Sequence, residues 1–200
     1  MADKPLVVGI GGTTRANSST EKALRFALRV AEEEGAETVL FDGPTLEALP
    51  HYAPEKPERS DEARDLVKAV RRAEGVIVAT PGYHGTISGM VKNALDYTED
   101  MREDPQPYFT GRAVGCIATG AGWQGTVSAM EALRSVVHAL RGWPTPLGAA
   151  INTSQPAFSP EGEPLDEKVA FQLATVGREV VQFIRWRRGE SQPASGSNRS

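Results

Sequence analysis

The sequence predicts an α/β domain in which five parallel strands form one doubly wound sheet covered by helices on both faces. Three observations lead there. Apolar runs of strand length alternate with helical patterns along the chain. The runs are apolar throughout rather than at every second residue, as strands buried on both faces require. The length of 200 residues suits one domain, and a domain of that size buries about 70% of the surface of its unfolded chain.

The elements follow in order. PLVVGI, residues 5–10, is the first strand. SSTEKALRFALRVAEEE, 18–34, is a helix. Ser18 and Glu21 have capping-box spacing, Leu24, Ala27, Leu28 and Ala31 make one apolar face, and Gly35 ends it. ETVLF, 37–41, is the second strand. Residues 42–60 hold Pro44, Pro50, Pro54 and Pro57 and read as a long loop, either a lid or subunit contact or a plain surface loop. DEARDLVKAVRRA, 61–73, is a helix and GVIVAT, 75–80, the third strand, ended by Pro81. Ser88 caps a helix reaching about Glu99, with Val91, Ala94 and Leu95 inward and Lys92 and Asp96 as a surface pair. AVGCIAT, 113–119, is the fourth strand, with a helix from about Thr126 to Leu140 after it. PLGAAIN, 146–152, is a weaker fifth strand, and 165–188 is the closing helix. One domain is expected over 1–188, with the polar stretch 189–200 a disordered tail.

Composition narrows the function. The hydrophobic fraction is 40%, the charged fraction 24% and the formal net charge −4. That balance is ordinary for a soluble globular protein and disfavours nucleic acid or an anionic membrane as partner. No apolar run reaches transmembrane length, and the N-terminal one is too short for a signal peptide, so a cytoplasmic location is expected. The one cysteine, Cys116, lies in an apolar run and reads as a small hydrophobe. His51, His84 and His138 lack metal spacing, and neither C-x-x-C nor G-x-S-x-G occurs. No side chain reads as a metal ligand or a chemical catalyst.

In such a sheet ligands bind beyond the carboxyl ends of the strands, so the loops after strands one, three and four should converge. The first is GGTTRANSST. From 13 to 20 it carries Thr13, Thr14, Arg15, Asn17, Ser18, Ser19 and Thr20, more polar groups than a helix cap needs. Hydroxyls and free backbone N–H groups at a helix start, with an arginine fork, suit a phosphate. It is neither a Walker loop nor the Rossmann fingerprint, and it fits a terminal monoester better than a bridging pyrophosphate. The loop after strand four spells G-x-G-x-x-G with Gly120, Gly122 and Gly125. The acidic residue a dinucleotide site needs about 20 positions on is missing, so these glycines read as room for backbone to approach a flat ligand, or as a tight turn. In the loop after strand three Gly82 and Gly85 turn the chain, Tyr83 offers a ring, and backbone amides can face a ring edge. A planar ring with carbonyls and nitrogens, tethered to a terminal phosphate, satisfies all three loops: flavin mononucleotide, FMN.

PGYHGTISGMVKNALD together with GGTTRANSS resembles the NAD(P)H-dependent FMN reductase family over residues 5–152. The family pattern G-S-x-R-x-x-S is met with Thr13 in place of the first serine and with Arg15 and Ser18 in place. The resemblance implies a flavodoxin-like, three-layer fold of strand order 2-1-3-4-5, with FMN bound and NADPH or NADH as hydride donor. It implies acceptors such as free flavin, quinones or similar small molecules, and a homodimer or homotetramer. By position, Thr13, Arg15, Asn17, Ser18, Ser19 and Thr20 would hold the phosphate. Pro81, Gly82, Tyr83, His84, Gly85 and Thr86 would line the isoalloxazine, and Thr119, Gly120, Gly122, Trp123 and Gly125 its other edge. Trp123, Met90, Tyr97 and Met101 form an apolar surplus near the site that would suit a subunit contact. The flavin is either a tight prosthetic group or a product passed to a partner monooxygenase. A flavodoxin-like electron carrier, which binds FMN without oxidising nicotinamide, is the alternative. A protein that uses this fold for interaction only is the third.

Overall fold

The computed structural model describes residues 3–190. The chain runs β1 (Leu6–Gly11), α1 (Ser19–Glu33), β2 (Glu37–Phe41), α2 (Gly43–Glu47), α3 (Asp61–Arg72), β3 (Gly75–Tyr83), β4 (Thr86–Ile87), α4 (Gly89–Asp96), a 3₁₀ turn (Tyr97–Met101), β5 (Ala113–Gly120), α5 (Trp123–Ala139), β6 (Trp143–Pro144), β7 (Ala149–Asn152) and α6 (Glu167–Arg188).

The sheet order is β2-β1-β3-β5, with β6 and β7 both pairing β5 at the fifth position. All of these pairs are parallel. This is the flavodoxin-like order expected from the sequence, with one change: the fifth strand is split. β6 pairs with Ala113 and Val114, β7 with Ile117 to Gly120. Pro144 ends β6 and Pro146 lies within the break, and prolines interrupt a ladder because they carry no N–H.

The helices divide as right-handed crossovers dictate. α1 and α6 pack on one face, around Val7, Leu24, Leu28, Ile77, Ile117, Val176 and Val180. α3, α4 and α5 pack on the other, around Val8, Leu66, Val70, Val78, Leu95, Cys116 and Leu133. The expected inward faces are borne out: Leu24, Ala27, Leu28 and Ala31 of α1 and Val91, Ala94 and Leu95 of α4 are all buried. Cys116 is fully buried, and burial pushes its thiol pKa up to about 12.

Several sequence expectations need correction. β3 does not end at Pro81. It runs to Tyr83 and folds back as a hairpin with β4. Residues 42–60 are not all loop: Asp42 caps the five-residue α2, its side chain accepting from Thr45 N at 3.2 Å. The rest of that segment is pinned. Arg59 grips Asp100 with two bonds of 2.8 and 2.9 Å and lies over the Tyr52 ring, while Asn93 bonds the backbone of Tyr52 and Pro50. The helix read from Thr126 begins three residues earlier, at Trp123, and the one read as reaching Glu99 gives way to the 3₁₀ turn at Tyr97. Tyr97 and Met101 belong to the core rather than to a surface surplus, at 3% and 0% exposure. Lys92 and Asp96 do form an exposed pair, at 2.6 Å. Gly189 closes α6 in the left-handed conformation; the remainder of the tail read from the sequence, 191–200, lies outside the described residues.

Candidate functional site

Register brings the three loops together. Gly11 at the end of β1 pairs with Ala79 of β3, and Pro81 and Thr119 pair two residues beyond between β3 and β5. Neighbouring strands lie about 4.8 Å apart, so the three strand ends open side by side. β1 stops first, which leaves a crevice over its end. α1 leaves this crevice toward one face, α4 and α5 toward the other, which makes it the switch point of the sheet.

The first loop is built as a donor cradle. Ser18 caps α1, its Oγ accepting from Glu21 N at 3.2 Å. The capping box foreseen from the sequence is only half formed, however. The Glu21 carboxylate reaches past Ser18 and accepts from Asn17 N at 3.2 Å. The backbone N–H groups of Ser18, Ser19 and Thr20 are thus left without an acceptor among the described residues, at the positive end of a 15-residue helix. Thr13 closes a small turn on itself, its hydroxyl donating to Arg15 O at 3.1 Å and accepting from Arg15 N at 3.2 Å. Thr14, Arg15 and Asn17 are exposed. Ser18 is buried and Ser19 half-buried.

Thr20 has a different place from the one expected. Its hydroxyl is buried and lies 2.7 Å from that of Thr119, so these two side chains tie the first loop to the third instead of opening toward a ligand.

The second loop is the β3–β4 hairpin. His84 and Gly85 have φ of 50° and 83°. Two central residues of positive φ define the tight hairpin turn for which Asn-Gly or Asp-Gly is the common choice. Tyr83, His84, Gly85 and Thr86 are exposed at its tip, and Pro81 is buried at its base. The hairpin leans on the third loop: a Cβ on Gly82 would lie 2.9 Å from the carbonyl oxygen of Gly125. Thr80, which sequence reasoning missed, anchors the fold-back by accepting from Ser88 N at 3.0 Å and donating to Pro81 O at 3.0 Å. Its only sequence signal is a hydroxyl in an otherwise apolar strand.

In the third loop, Gly122 and Gly125 have open space where a side chain would sit, whereas a Cβ on Gly120 would strike Thr126 Oγ1 at 2.6 Å. Gly120 therefore serves packing, and Gly122 and Gly125 keep a free surface. α5 starts at Gly122 with no side-chain cap, and Trp123 is 61% exposed beside it.

Between the first loop and the hairpin runs a cleft of about 130 Å³, lined by Gly12, Thr13, Thr14, Pro81, Tyr83, Ser88, Gly89 and Met90. It is uncharged, with apolar and hydroxyl walls. Gly12 and Ser88 to Met90 were not among the residues expected to hold the cofactor, and Thr14 was expected only as one of the first loop's hydroxyls. A larger recess of about 260 Å³ lies at the amino end of β5, between Trp143, Phe183 and Trp186; it is away from the strand-end loops and their donors.

The fold defines a flavodoxin-like protein whose three strand-end loops meet at the switch point of the sheet. Comparison with known proteins takes the identification further. Residues 5–156 match the family described as NADPH-dependent FMN reductase, and the chain belongs to that family. It is 30% identical over 191 residues to a protein of Pseudomonas aeruginosa named NAD(P)H-dependent FMN reductase, across 94% of this chain and 100% of that one. It is 28% identical to an FMN-dependent NADPH-azoreductase of Staphylococcus aureus, across 86% of this chain and 92% of that one. Among solved structures it resembles FerB, a flavoenzyme NAD(P)H:(acceptor) oxidoreductase from Paracoccus denitrificans, with a TM-score of 0.76 at 24% identity, covering 91% of this chain and 98% of that chain. The chain is thus an FMN-dependent oxidoreductase that uses a nicotinamide donor.

Proposed function

We propose that the three strand-end loops hold FMN in one orientation, phosphate on the first loop and ring between the hairpin and the third loop. One observation carries this: the first loop, where three consecutive N–H groups at the start of α1 have no acceptor among the described residues, also lines an uncharged cleft walled by Pro81 and Tyr83. The donors suit a dianion, and the cleft beside them suits an aromatic ring with few compensating charges. Arg15, exposed on the loop rim, supplies the one cation. Ser19 adds a hydroxyl, and Ser18 and Thr13 fix the loop's shape.

FMN held there would supply the hydride-transfer chemistry between the nicotinamide and the acceptor. The chain's own work is orientation. Pro81 and Tyr83 would flank and position the ring, Gly122 and Gly125 would let the backbone approach its edge, and the exposed outer side would admit donor and acceptor in turn. No acid or base is assigned a proton-transfer step. Small planar acceptors, such as free flavin or quinones, would find exposed aromatic rings on the loops after β3 and β5, where Tyr83 and Trp123 are 53% and 61% exposed.

We further read residues up to 188 as one FMN-binding domain that works in the cytoplasm as a homodimer or homotetramer. The support is Tyr83 and Trp123, large aromatic side chains exposed on the loops after β3 and β5, with Val127 exposed one turn farther along α5. No helix among the described residues is long and apolar enough to cross a membrane. The direct test is anaerobic titration of the FMN-loaded protein with NADPH and with NADH, following the visible flavin absorbance. Stoichiometric bleaching is expected. A flavin that stays oxidised while the protein passes electrons from another donor would mark a carrier instead.

A further inference from the structure

Glu21 is a buried carboxylate, 5% exposed, in the first turn of the helix whose N-terminus is read as the phosphate site. A negative charge there opposes a phosphate, and nothing in the core packing of α1 calls for it. Its contacts show what it does. Oε2 accepts from Asn17 N at 3.2 Å, and Oε1 accepts from Arg25 Nε at 2.8 Å. Asn17 is held at φ 56°, the left-handed region, which asparagine enters more readily than most residues but which still needs fixing by its surroundings. Arg25 in turn reaches Asp42 Oδ2 at 3.2 Å, and Asp42 caps α2. The Asp42–Gly43 turn lies against the back of the first loop so tightly that a Cβ on Gly43 would fall 1.8 Å from Thr13 O.

We infer that Glu21 is the positioning residue of the phosphate loop. In an ordinary capping box the N3 carboxylate takes the N–H of the cap residue itself. Here it takes the N–H one residue earlier. That choice has two consequences. It pins the loop in the shape that turns the chain into α1, and it leaves the Ser18 N–H free beside those of Ser19 and Thr20. Arg25 balances the carboxylate charge from the side away from Asn17 and links it through Asp42 to the turn that backs the loop. The proposal rests on the reading of the first loop as the phosphate cradle, and it is separable from it.

The test compares FMN and riboflavin, which differ only in the phosphate, by flavin fluorescence quenching on wild type, Glu21→Gln and Glu21→Ala. Glutamine retains an acceptor for Asn17 N–H, and alanine does not. Glu21→Gln should bind FMN within a few-fold of wild type, whereas Glu21→Ala should lose at least about tenfold, the scale of one hydrogen bond to a charged group. Riboflavin affinity should hold in both, which also reports an intact fold. Three results would overturn the inference: Glu21→Ala binding FMN as well as or better than wild type, which makes Glu21 only a repelling charge; glutamine failing as badly as alanine; or riboflavin falling in parallel with FMN. Wild type that binds no FMN would instead defeat the cofactor reading itself.

Discussion

The bond between Thr20 and Thr119 lends itself to a quantitative test. The two residues are 99 positions apart, their hydroxyl oxygens lie 2.7 Å from each other, and they are 2% and 3% exposed. Thr20→Val or Thr119→Val replaces one hydroxyl by a methyl of similar size, so no cavity opens. The remaining hydroxyl is then buried without its partner, which costs about 1–3 kcal/mol. Valine and threonine have similar helix propensity, and valine suits a strand, so local preference adds little at either site. Replacing both removes the stranded group, and the double variant should recover much of the loss, with a coupling energy of about 0.5–3 kcal/mol. Urea unfolding of the flavin-free protein measures this. With a slope of about 1–3 kcal/mol/M, each single variant should shift the midpoint by several tenths of a molar or more, and the double should shift it by less than the sum. Single effects below about 0.5 kcal/mol, or strict additivity, would show that the hydroxyls do not depend on one another and that the first and third loops are not joined there.

Other outcomes follow from the same coordinates. Arg112 is 2% exposed and donates to the carbonyls of Ala73 at 2.8 Å, Tyr108 at 3.0 Å and Arg71 at 3.1 Å, closing the C-terminal end of α3. Arg112→Met should cost about 3 kcal/mol in the same unfolding assay, because it leaves those carbonyls unpaired. Cys116, with its pKa raised to about 12 by burial, should resist thiol reagents in the native protein at pH 8 and react on unfolding. Since its folded pKa lies above the unfolded value, its contribution to stability is complete below about pH 8.5 and is lost as pH rises toward 12; a Cys116→Ala variant should lack that alkaline component in a pH series of unfolding midpoints. His84→Ala should slow flavin reduction by less than about 10²-fold, the lower bound for a general acid or base, and stopped-flow reduction by NADPH measures it.

Much of the fold was legible because the main strands are largely apolar runs and most of the main helices, α5 excepted, carry their own side-chain cap. Ser18, Ser60 and Ser88 each cap the helix that follows, and such signals are local. The hairpin was harder to read because Pro81 imitates a strand end. β1 has already stopped at Gly11, opposite Ala79, so from there β3 has a ladder on one side only and tolerates a proline. β6 is two residues long, too short for any period to show. At the strand ends, the glycines and hydroxyls pointed to three loops that the register does bring side by side. What the sequence could not display was which hydroxyls are already spent: Thr20 on Thr119, Ser18 on Glu21 N, and Thr80 on the hairpin. Those assignments depend on long-range register, as does the use of Arg112 to close a helix some 40 residues away.

The central claim is that the first loop binds the phosphate of FMN with Arg15 as its cation. The most direct measurement is the pair of dissociation constants for FMN and riboflavin in wild type and in Arg15→Ala. A charge-assisted hydrogen bond contributes about 1.5–3 kcal/mol, so FMN should weaken by roughly 10- to 100-fold in the variant while riboflavin holds. The residual preference for FMN should persist, because the N–H groups of Ser18, Ser19 and Thr20 are untouched. Equal loss for both ligands, or no loss for either, would contradict the account and remove Arg15 from the phosphate site.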